Sequence, residues 1–391
     1  MAQNLQLHDL MAPIRILSIV WYKVLPARFG GQKGIANFNK ALGKLFHLVC
    51  LCSRNNEAPA DLPYSVIPEL PVSKWQFLNP FVQQKIVRIA KKEKSTHIIL
   101  EHPYHAKAAL KARRATGALL IVHSHNIESE RYRQLGKHGW KLLYKHEKRI
   151  HHQADFNLFK TEEEMNYALK HFELLPEKCM VMPYGLSRPA KTNKNYARKF
   201  IRDRHGIPSN CKILLFAATL DYAPNEQAVN NLYEQVAPKL PDDFRIIICG
   251  RNRIKGFEYL YQLHHPLIIN AGEVDNIDIY FDGADAFVNP VMMGGGVQTK
   301  NLDALSHDLN VVCFSSMLSG INLSVCGGKV NIAPHQDWEA FIAALHEALS
   351  GPFPDTPPAF YDYYSFDGQV GLFAERLKGL KNQLATLPVS L

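Results

Sequence analysis

Two successive series of short apolar runs, each followed by a longer segment of helical character, constrain this chain more than any other feature. The first series is 14–20, 47–52, 97–100, 118–123, 156–159 and 179–183. The second is 212–217, 244–249, 267–270, 284–289, 310–314 and 330–333. Runs rich in Ile, Val and Leu without polar alternation suit parallel strands buried on both faces. Helix-like segments at 79–92, 106–115, 141–152, 162–172, 225–240 and 338–349 separate them. This alternation predicts a doubly wound α/β architecture, repeated in two similar domains. At 391 residues the chain is long enough for each domain to bury its own core.

The division is expected at 191–209. That stretch is polar, carries several lysines and ends in Gly206-Ile207-Pro208 immediately before the second series. The predicted organisation is 1–190, a linker at 191–209, a second domain at 210–365 and a final helix within 366–391, set off by the prolines of 351–360. Charge follows the same division. The first 200 residues carry 32 Lys and Arg against 15 Asp and Glu, and the remainder 13 against 21. The basic excess peaks between Lys85 and Arg149, and points to an anionic membrane surface, a phosphorylated acceptor or, otherwise, a solvated surface. It has few interleaved aromatics and no nucleic-acid motif, so nucleic acid is not expected as a partner. No apolar run reaches the length of a membrane span, and the first residues lack a basic leader region, so a cytoplasmic protein is expected, with possible contact at the inner face of the membrane. Seven cysteines without a CxxC pair read as buried thiols.

The segment NPVMMGGGVQTKNLDAL, 289–305, carries the most chemistry. It reads as strand, glycine loop and helix N-terminus, a junction that offers backbone N–H groups and a positive dipole end to an anion. Gly294, Gly295 and Gly296 allow close backbone approach. Lys300 supplies a cation for a phosphate, and Asp303 an acceptor for a sugar hydroxyl. A nucleotide or nucleotide-sugar site is one reading; a glycine turn beside a solvated lysine is the other. No Gly-Lys-Ser/Thr follows, so this is not a P-loop. A second glycine turn, Gly30, Gly31 and Gly34, follows the first run, where open α/β sheets bind ligands. In ALLIVHSHNIE, 118–128, a strand ends in His123 and His125, placed on one face by strand alternation, with Asn126 and Glu128 beyond. A substrate site, a structural histidine and a zinc site are all open, though no further ligand is spaced for zinc.

These pieces in this order resemble the retaining glycosyltransferases of family 4. In the first half the resemblance rests on the Gly30–Gly34 turn, HSHNIE at 123–128, Asp155 with FKTEEE at 159–164, and MPYGL at 182–186. In the second half it rests on LDYAPNEQAV at 220–229, IIICG at 246–250, the stretch 270–291, and GGGVQTKNLDAL at 294–305. The resemblance implies the GT-B fold: two Rossmann-like domains facing a cleft, with the final helix, 366–387, crossing back to the first domain. It implies transfer of a sugar from a nucleotide-diphosphate sugar (UDP or GDP) to a glycan or lipid-linked acceptor, with retention, without a metal or other cofactor, and a role in cell-surface polysaccharide synthesis.

Carried over by motif, Gly294, Gly295, Gly296 and Lys300 would contact the donor diphosphate, with Val297 and Thr299 in the same loop and helix start. Asp303 would bind the ribose, and His125 would lie near the donor sugar. Gly30 and Gly31 would lie near its phosphates and the acceptor, with Asn126 and Glu128 on the acceptor side. His125 and Lys300 are the expected catalytic pair. Two departures stand out. The first Glu of the family's Glu–seven residues–Glu motif falls at Gly295, and the usual Arg and Lys are absent from 219–228, leaving Arg251 or Lys300 to supply that cation. These departures keep open a non-catalytic nucleotide- or glycan-binding scaffold, and a GT-B epimerase or hydrolase is the nearer rival.

Overall fold

The computed structural model describes residues 13–27, 30–73, 75–186, 188–190, 192–294, 296–351 and 354–385. The chain forms two compact units. Unit 1 runs to Gly185 and resumes at Phe366; unit 2 is Leu186–Ser365.

Unit 1 is built on seven parallel strands: β1 (Arg15–Val20), β2 (His47–Ser53), β3 (Ser65–Leu70), β4 (His97–Glu101), β5 (Leu119–His123), β6 (Phe156–Phe159) and β7 (Cys179–Val181), in the order β3-β2-β1-β4-β5-β6-β7. Unit 2 has six: β8 (Lys212–Ala217), β9 (Phe244–Cys249), β10 (Ile268–Gly272), β11 (Ala286–Asn289), β12 (Asn310–Phe314) and β13 (Val330–Ala333), in the order β10-β9-β8-β11-β12-β13. Each sheet therefore reverses direction once, between β1 and β4 and between β8 and β11. Open parallel sheets bind ligands beyond the carboxyl ends of their strands at that reversal.

One strand escapes the apolar pattern. β3 reads SVIPEL, has half of its residues exposed and contains Pro68. It lies at a sheet edge, where a proline removes no ladder bond that the sheet needs. The stretch 191–209, read as a linker from its polarity, holds the helix Lys194–His205, capped by the Asn193 side chain. Its Ala197 and Ile201 are buried against Gly283, where a Cβ would stand 2.5 Å from Ile201 Cδ1. The helix expected over 225–240 instead breaks into an α-helix, Ala223–Asn231, a wider π turn, Leu232–Val236, and a 3-10 turn, Ala237–Lys239. Pro238 cannot donate a backbone hydrogen bond, which ends the regular helix there.

The helix Phe366–Ala385 returns to unit 1. Its Val370, Phe373 and Leu377 are buried with Ile35, Phe38 and Leu42 of the helix Gly30–Leu45, and the Phe38 and Phe373 ring centres are 6.0 Å apart. Phe366 lies so close to Gly185 that a Cβ there would fall 2.2 Å from its ring. This contact explains the glycine of the MPYGL segment. All seven cysteines are free thiols; Cys179 is half-buried and the other six are buried. Among the described residues, no helix is long and apolar enough to cross a membrane.

Candidate active site

In unit 2 the direction reversal places the carboxyl ends of β8 and β11 side by side. β11 ends at Asn289, whose side-chain Nδ2 donates to Asn301 Oδ1 at 2.9 Å; both residues are fully buried. This bond ties together the two ends of the glycine loop. Within the loop, Gly294 has φ of 129° and Gly296 of 81°, conformations that side chains rarely adopt. Gly295 lies outside the described residues. Val297 is packed on Gly320, where a Cβ would be 2.6 Å from Val297 Cγ2. The helix Thr299–Ser306 follows, and no side chain caps its N-terminus. Its dipole end can attract an anion, although Thr299 N and Asn301 N already donate to the Val297 and Gln298 carbonyls at 2.9 Å.

Lys300 points back under this loop. Its Nζ donates to Asn225 Oδ1 at 2.6 Å and sits 5.2 Å from the centre of the Phe216 ring. Asn225 is held in turn by its Nδ2 donating to the Thr219 carbonyl at 2.8 Å. Burial pushes the Lys300 ammonium down to about 7. The 220–229 segment thus reaches Lys300 through Asn225, a link that sequence spacing did not suggest.

Arg251 follows β9, and its carbonyl accepts from Leu220 N at 2.9 Å. The preceding Gly250 lets the two loops touch: a Cβ there would stand 1.8 Å from the Ala218 carbonyl oxygen. The neighbouring Arg253 is paired with Glu273. Asp303 lies one turn into the Thr299–Ser306 helix and is half-buried.

In unit 1 the strand register sets Glu101, the last residue of β4, beside His123, the last residue of β5. Glu101 Oε2 lies 2.6 Å from His125 Nε2 and 2.9 Å from His123 Nδ1. The His123 and His125 ring centres are 4.3 Å apart, and the His102 ring lies 4.5 Å from that of His125, tilted by 30°. His102 achieves this with φ of 68°, an uncommon backbone state for a non-glycine residue. Burial holds His123 and His125 well below the usual histidine range, reinforced by the charge of Lys160 and by the neighbouring histidines. Both rings are therefore neutral at pH 7. With Glu101 as acceptor at Nε2, the His125 proton is assigned to that nitrogen, which leaves Nδ1 to accept a hydrogen bond. Lys160 is itself lowered to about 8 by burial.

Glu128 is buried. Burial alone would raise its carboxyl, but His102 and Arg131 bring it down to about 2. Tyr104 Oη donates to it at 3.0 Å and Arg131 Nη2 at 2.6 Å. The N–H groups of Glu128 and Ser129 are capped by the Glu147 carboxylate at 2.7 and 2.8 Å. Burial raises Glu147 to about 7. Asn126 is half-buried beside these groups, its carbonyl accepting from Ser124 Oγ at 2.8 Å. Gly30 and Gly31 open the first helix at the carboxyl side of β1. At Gly31 a Cβ would meet nothing closer than Tyr22 Oη at 3.8 Å, so no packing within the protein excludes a side chain there.

Glu101, His123 and His125 each place one ligand atom within 4.8 Å of the other two, a donor set of the kind divalent metals accept. The Lys160 ammonium beside them opposes a second cation. Sequence reasoning missed Glu101, His102, Tyr104 and Lys160. The available signal was a charged or polar residue ending an apolar run: Glu101 closes HIILE, and Lys160 follows FNLF.

Two family models match the chain. One, described as Glycosyltransferase Family 4, covers residues 30–187; the other, Glycosyl transferases group 1, covers 211–351. The chain belongs to the family 4 glycosyltransferases. It is an enzyme that uses a nucleotide-sugar donor on a GT-B fold. Solved structures agree on the fold. Sucrose-phosphate synthase from Thermosynechococcus elongatus superimposes with a TM-score of 0.74 at 14% identity, over 94% of this chain and 100% of that one. Anabaena Alr3699/HepE, in complex with UDP and glucose, gives 0.72 at 14%, over 93% and 100%. WaaG, a glycosyltransferase involved in lipopolysaccharide biosynthesis, gives 0.61 at 16%, over 96% and 100%. No curated protein matches this glycosyltransferase by sequence.

Proposed function

We propose that this glycosyltransferase moves a hexose from a UDP-sugar to a glycan or lipid-linked acceptor, with retention of configuration and without a metal, in the synthesis of a cell-surface polysaccharide. The observation that carries the reading is Lys300, held by Asn225 beneath the glycine loop at the direction reversal of unit 2. The UDP and glucose bound to Alr3699/HepE favour UDP over GDP, and the pathway of WaaG favours a surface glycan.

The chemistry follows from charge. Breaking the bond between the anomeric carbon and the diphosphate leaves negative charge on the leaving group. Lys300 and the positive dipole end of the Thr299–Ser306 helix stabilise that charge more in the transition state than in the ground state. They do the work a metal would otherwise do. Gly294, Gly296, Val297 and Thr299 shape the diphosphate pocket, Arg251 adds charge, and Asp303 accepts from the ribose. In unit 1, His125 Nδ1 accepts from a sugar hydroxyl, with Glu101 fixing its tautomer. Gly30 and Gly31 leave backbone open to a ligand, and Asn126 and Glu128 serve the acceptor.

The test is turnover of UDP-glucose and UDP-galactose with candidate acceptors, with and without EDTA. Lys300→Ala should abolish transfer, and EDTA should leave it unchanged. Full turnover by Lys300→Ala would remove the assigned diphosphate role, and loss with EDTA would remove the metal-free mechanism.

A further inference from the structure

A series of aromatic rings leads away from the acceptor side of unit 1. It runs from His102 to Tyr104, then to Phe77 and Trp75. Successive ring centres are 6.2, 6.2 and 6.4 Å apart, and successive rings are turned by 38°, 38° and 40°. Trp21 meets Tyr104 edge-on at 5.1 Å, and Tyr22 meets His102 edge-on at 5.8 Å. These rings follow the carboxyl ends of β1, β3 and β4, the ligand side of an open parallel sheet. Exposure rises along the series. The His102 side chain is 12% exposed, Tyr104 and Phe77 are half-buried, and Trp75 is 71% exposed.

The outer end of the series is held in place. Buried Gln76, between Trp75 and Phe77, donates from Nε2 to the Trp21 carbonyl at 2.7 Å, and its Oε1 lies 3.3 Å from His105 Nε2. The Phe77 carbonyl accepts from Gln83 Nε2 at 3.2 Å. Rings fixed in this way lose little freedom when a ligand covers them. An exposed aromatic surface continuous with a site, and rimmed by polar groups, marks a ligand groove.

The rim says what the groove takes. Tyr104 Oη donates to the Glu128 carboxylate at 3.0 Å, and Arg131 Nη2 donates to the same oxygen at 2.6 Å. An acyl chain laid over Tyr104 would strip water from this ion pair and return no hydrogen bond. A pyranose has both parts required: a C–H face that packs on an aromatic ring, and hydroxyls at its edge for Glu128 and Arg131.

We propose that the series His102, Tyr104, Phe77 and Trp75 is a glycan track, and that the acceptor is an oligosaccharide whose terminal sugar lies at Glu128 with the sugars behind it laid towards Trp75. The inference rests on the transfer reading, and chooses a glycan over a lipid-linked monosaccharide as acceptor.

The test is titration calorimetry of the full chain with mono-, di-, tri- and pentasaccharides of glucose and of mannose, α- and β-linked. Every pyranose has an apolar face, so these probes report stacking whatever the natural sugar. Affinity should rise with length. Trp75→Ala should bind the pentasaccharides roughly fivefold more weakly, the value of one lost ring contact, and Trp75→Phe should restore most of it. The loss should shrink as the probe shortens, since a single sugar at Glu128 does not reach Trp75. Trp75 is exposed, and an unchanged melting temperature confirms that the variants fold. Equal affinity for mono- and pentasaccharides, binding of none of them, or wild-type affinity in Trp75→Ala would overturn the proposal. So would binding to phosphatidylglycerol vesicles that Trp75→Ala weakens while pentasaccharide binding stays unchanged. Length-dependent binding by a protein that consumes no UDP-sugar with any acceptor would support the track and sink the transfer reading alone. Transfer to a lipid-linked monosaccharide at equal rates by wild type and Trp75→Ala, without pentasaccharide binding, would keep the transfer reading and sink this one.

Discussion

Replacing Lys300 by Met keeps most of the side-chain length and removes the charge, so the variant isolates what the ammonium contributes to diphosphate binding. Burial holds Lys300 at about 7, with its Nζ bonded to Asn225 Oδ1 at 2.6 Å. In the free enzyme about half of the molecules carry the charge at pH 7, and about 1% at pH 9. A bound diphosphate selects the charged form. UDP affinity should therefore fall about fiftyfold from pH 7 to pH 9, or about 2.3 kcal/mol, as each binding event takes up a proton. Isothermal titration of UDP at pH 7, 8 and 9, in pairs of buffers with different ionisation heats, reads both quantities. Uptake should rise from about half a proton at pH 7 to about one at pH 9. Lys300→Met should bind more weakly at pH 7, with affinity flat across the range and no uptake from this group. The same lysine makes the stability of the free protein depend on pH. A lysine lowered in the folded state binds more protons when unfolded, so this group destabilises the fold fully below pH 7, and stability should rise as pH climbs from 7 towards 10.5. Lys300→Met should lack that rise. A wild-type UDP affinity independent of pH, or the same slope in the variant, would refute the argument.

Three further outcomes are expected. Gly250→Ala should destabilise unit 2 by about 3–5 kcal/mol, because its Cβ would meet the Ala218 carbonyl oxygen at 1.8 Å; thermal unfolding checks this. His125→Ala and Glu101→Ala should each lower kcat about a hundredfold, and the double variant no more than the worse single one, since the pair acts as a unit through its 2.6 Å bond; steady-state kinetics reads the cycle. His307 is raised to about 9: burial alone would lower it, but bonds to Asp278 and Asp282 outweigh that. Its contribution of about 3 kcal/mol should be complete below pH 6.5 and lost as pH rises through 9, and the dependence should vanish in His307→Gln, by urea unfolding across that range.

Much of the architecture was legible because parallel strands buried on both faces leave unbroken apolar runs. The runs at 14–20, 97–100 and 212–217 became β1, β4 and β8 almost residue for residue. β3 was invisible because its exposed face and Pro68 are tolerated only at an edge, and edge position is a property of the sheet. The helix Lys194–His205 was hidden by its charge, since only Ala197 and Ile201 bury deeply. At the site, the glycine loop and Lys300 were visible because local spacing suffices to suggest an anion-binding helix start. Their partner Asn225 lies 75 residues away and depends on which strands are neighbours. Glu101 was missed for the same reason: only the β4–β5 register brings it to His123 and His125.

The return of the helix Phe366–Ala385 to unit 1 has a consequence for the order in which the molecule can be made. Unit 2 is continuous in sequence and can fold as soon as its own residues leave the ribosome. Unit 1 is completed later, because Phe373 and Leu377, which close its core over Phe38 and Leu42, are translated only after the whole of unit 2. During that interval the nascent first unit exposes an apolar groove. The core of unit 1 is therefore the last to be completed, and a stop codon introduced near residue 365 should leave unit 1 unfinished while sparing unit 2.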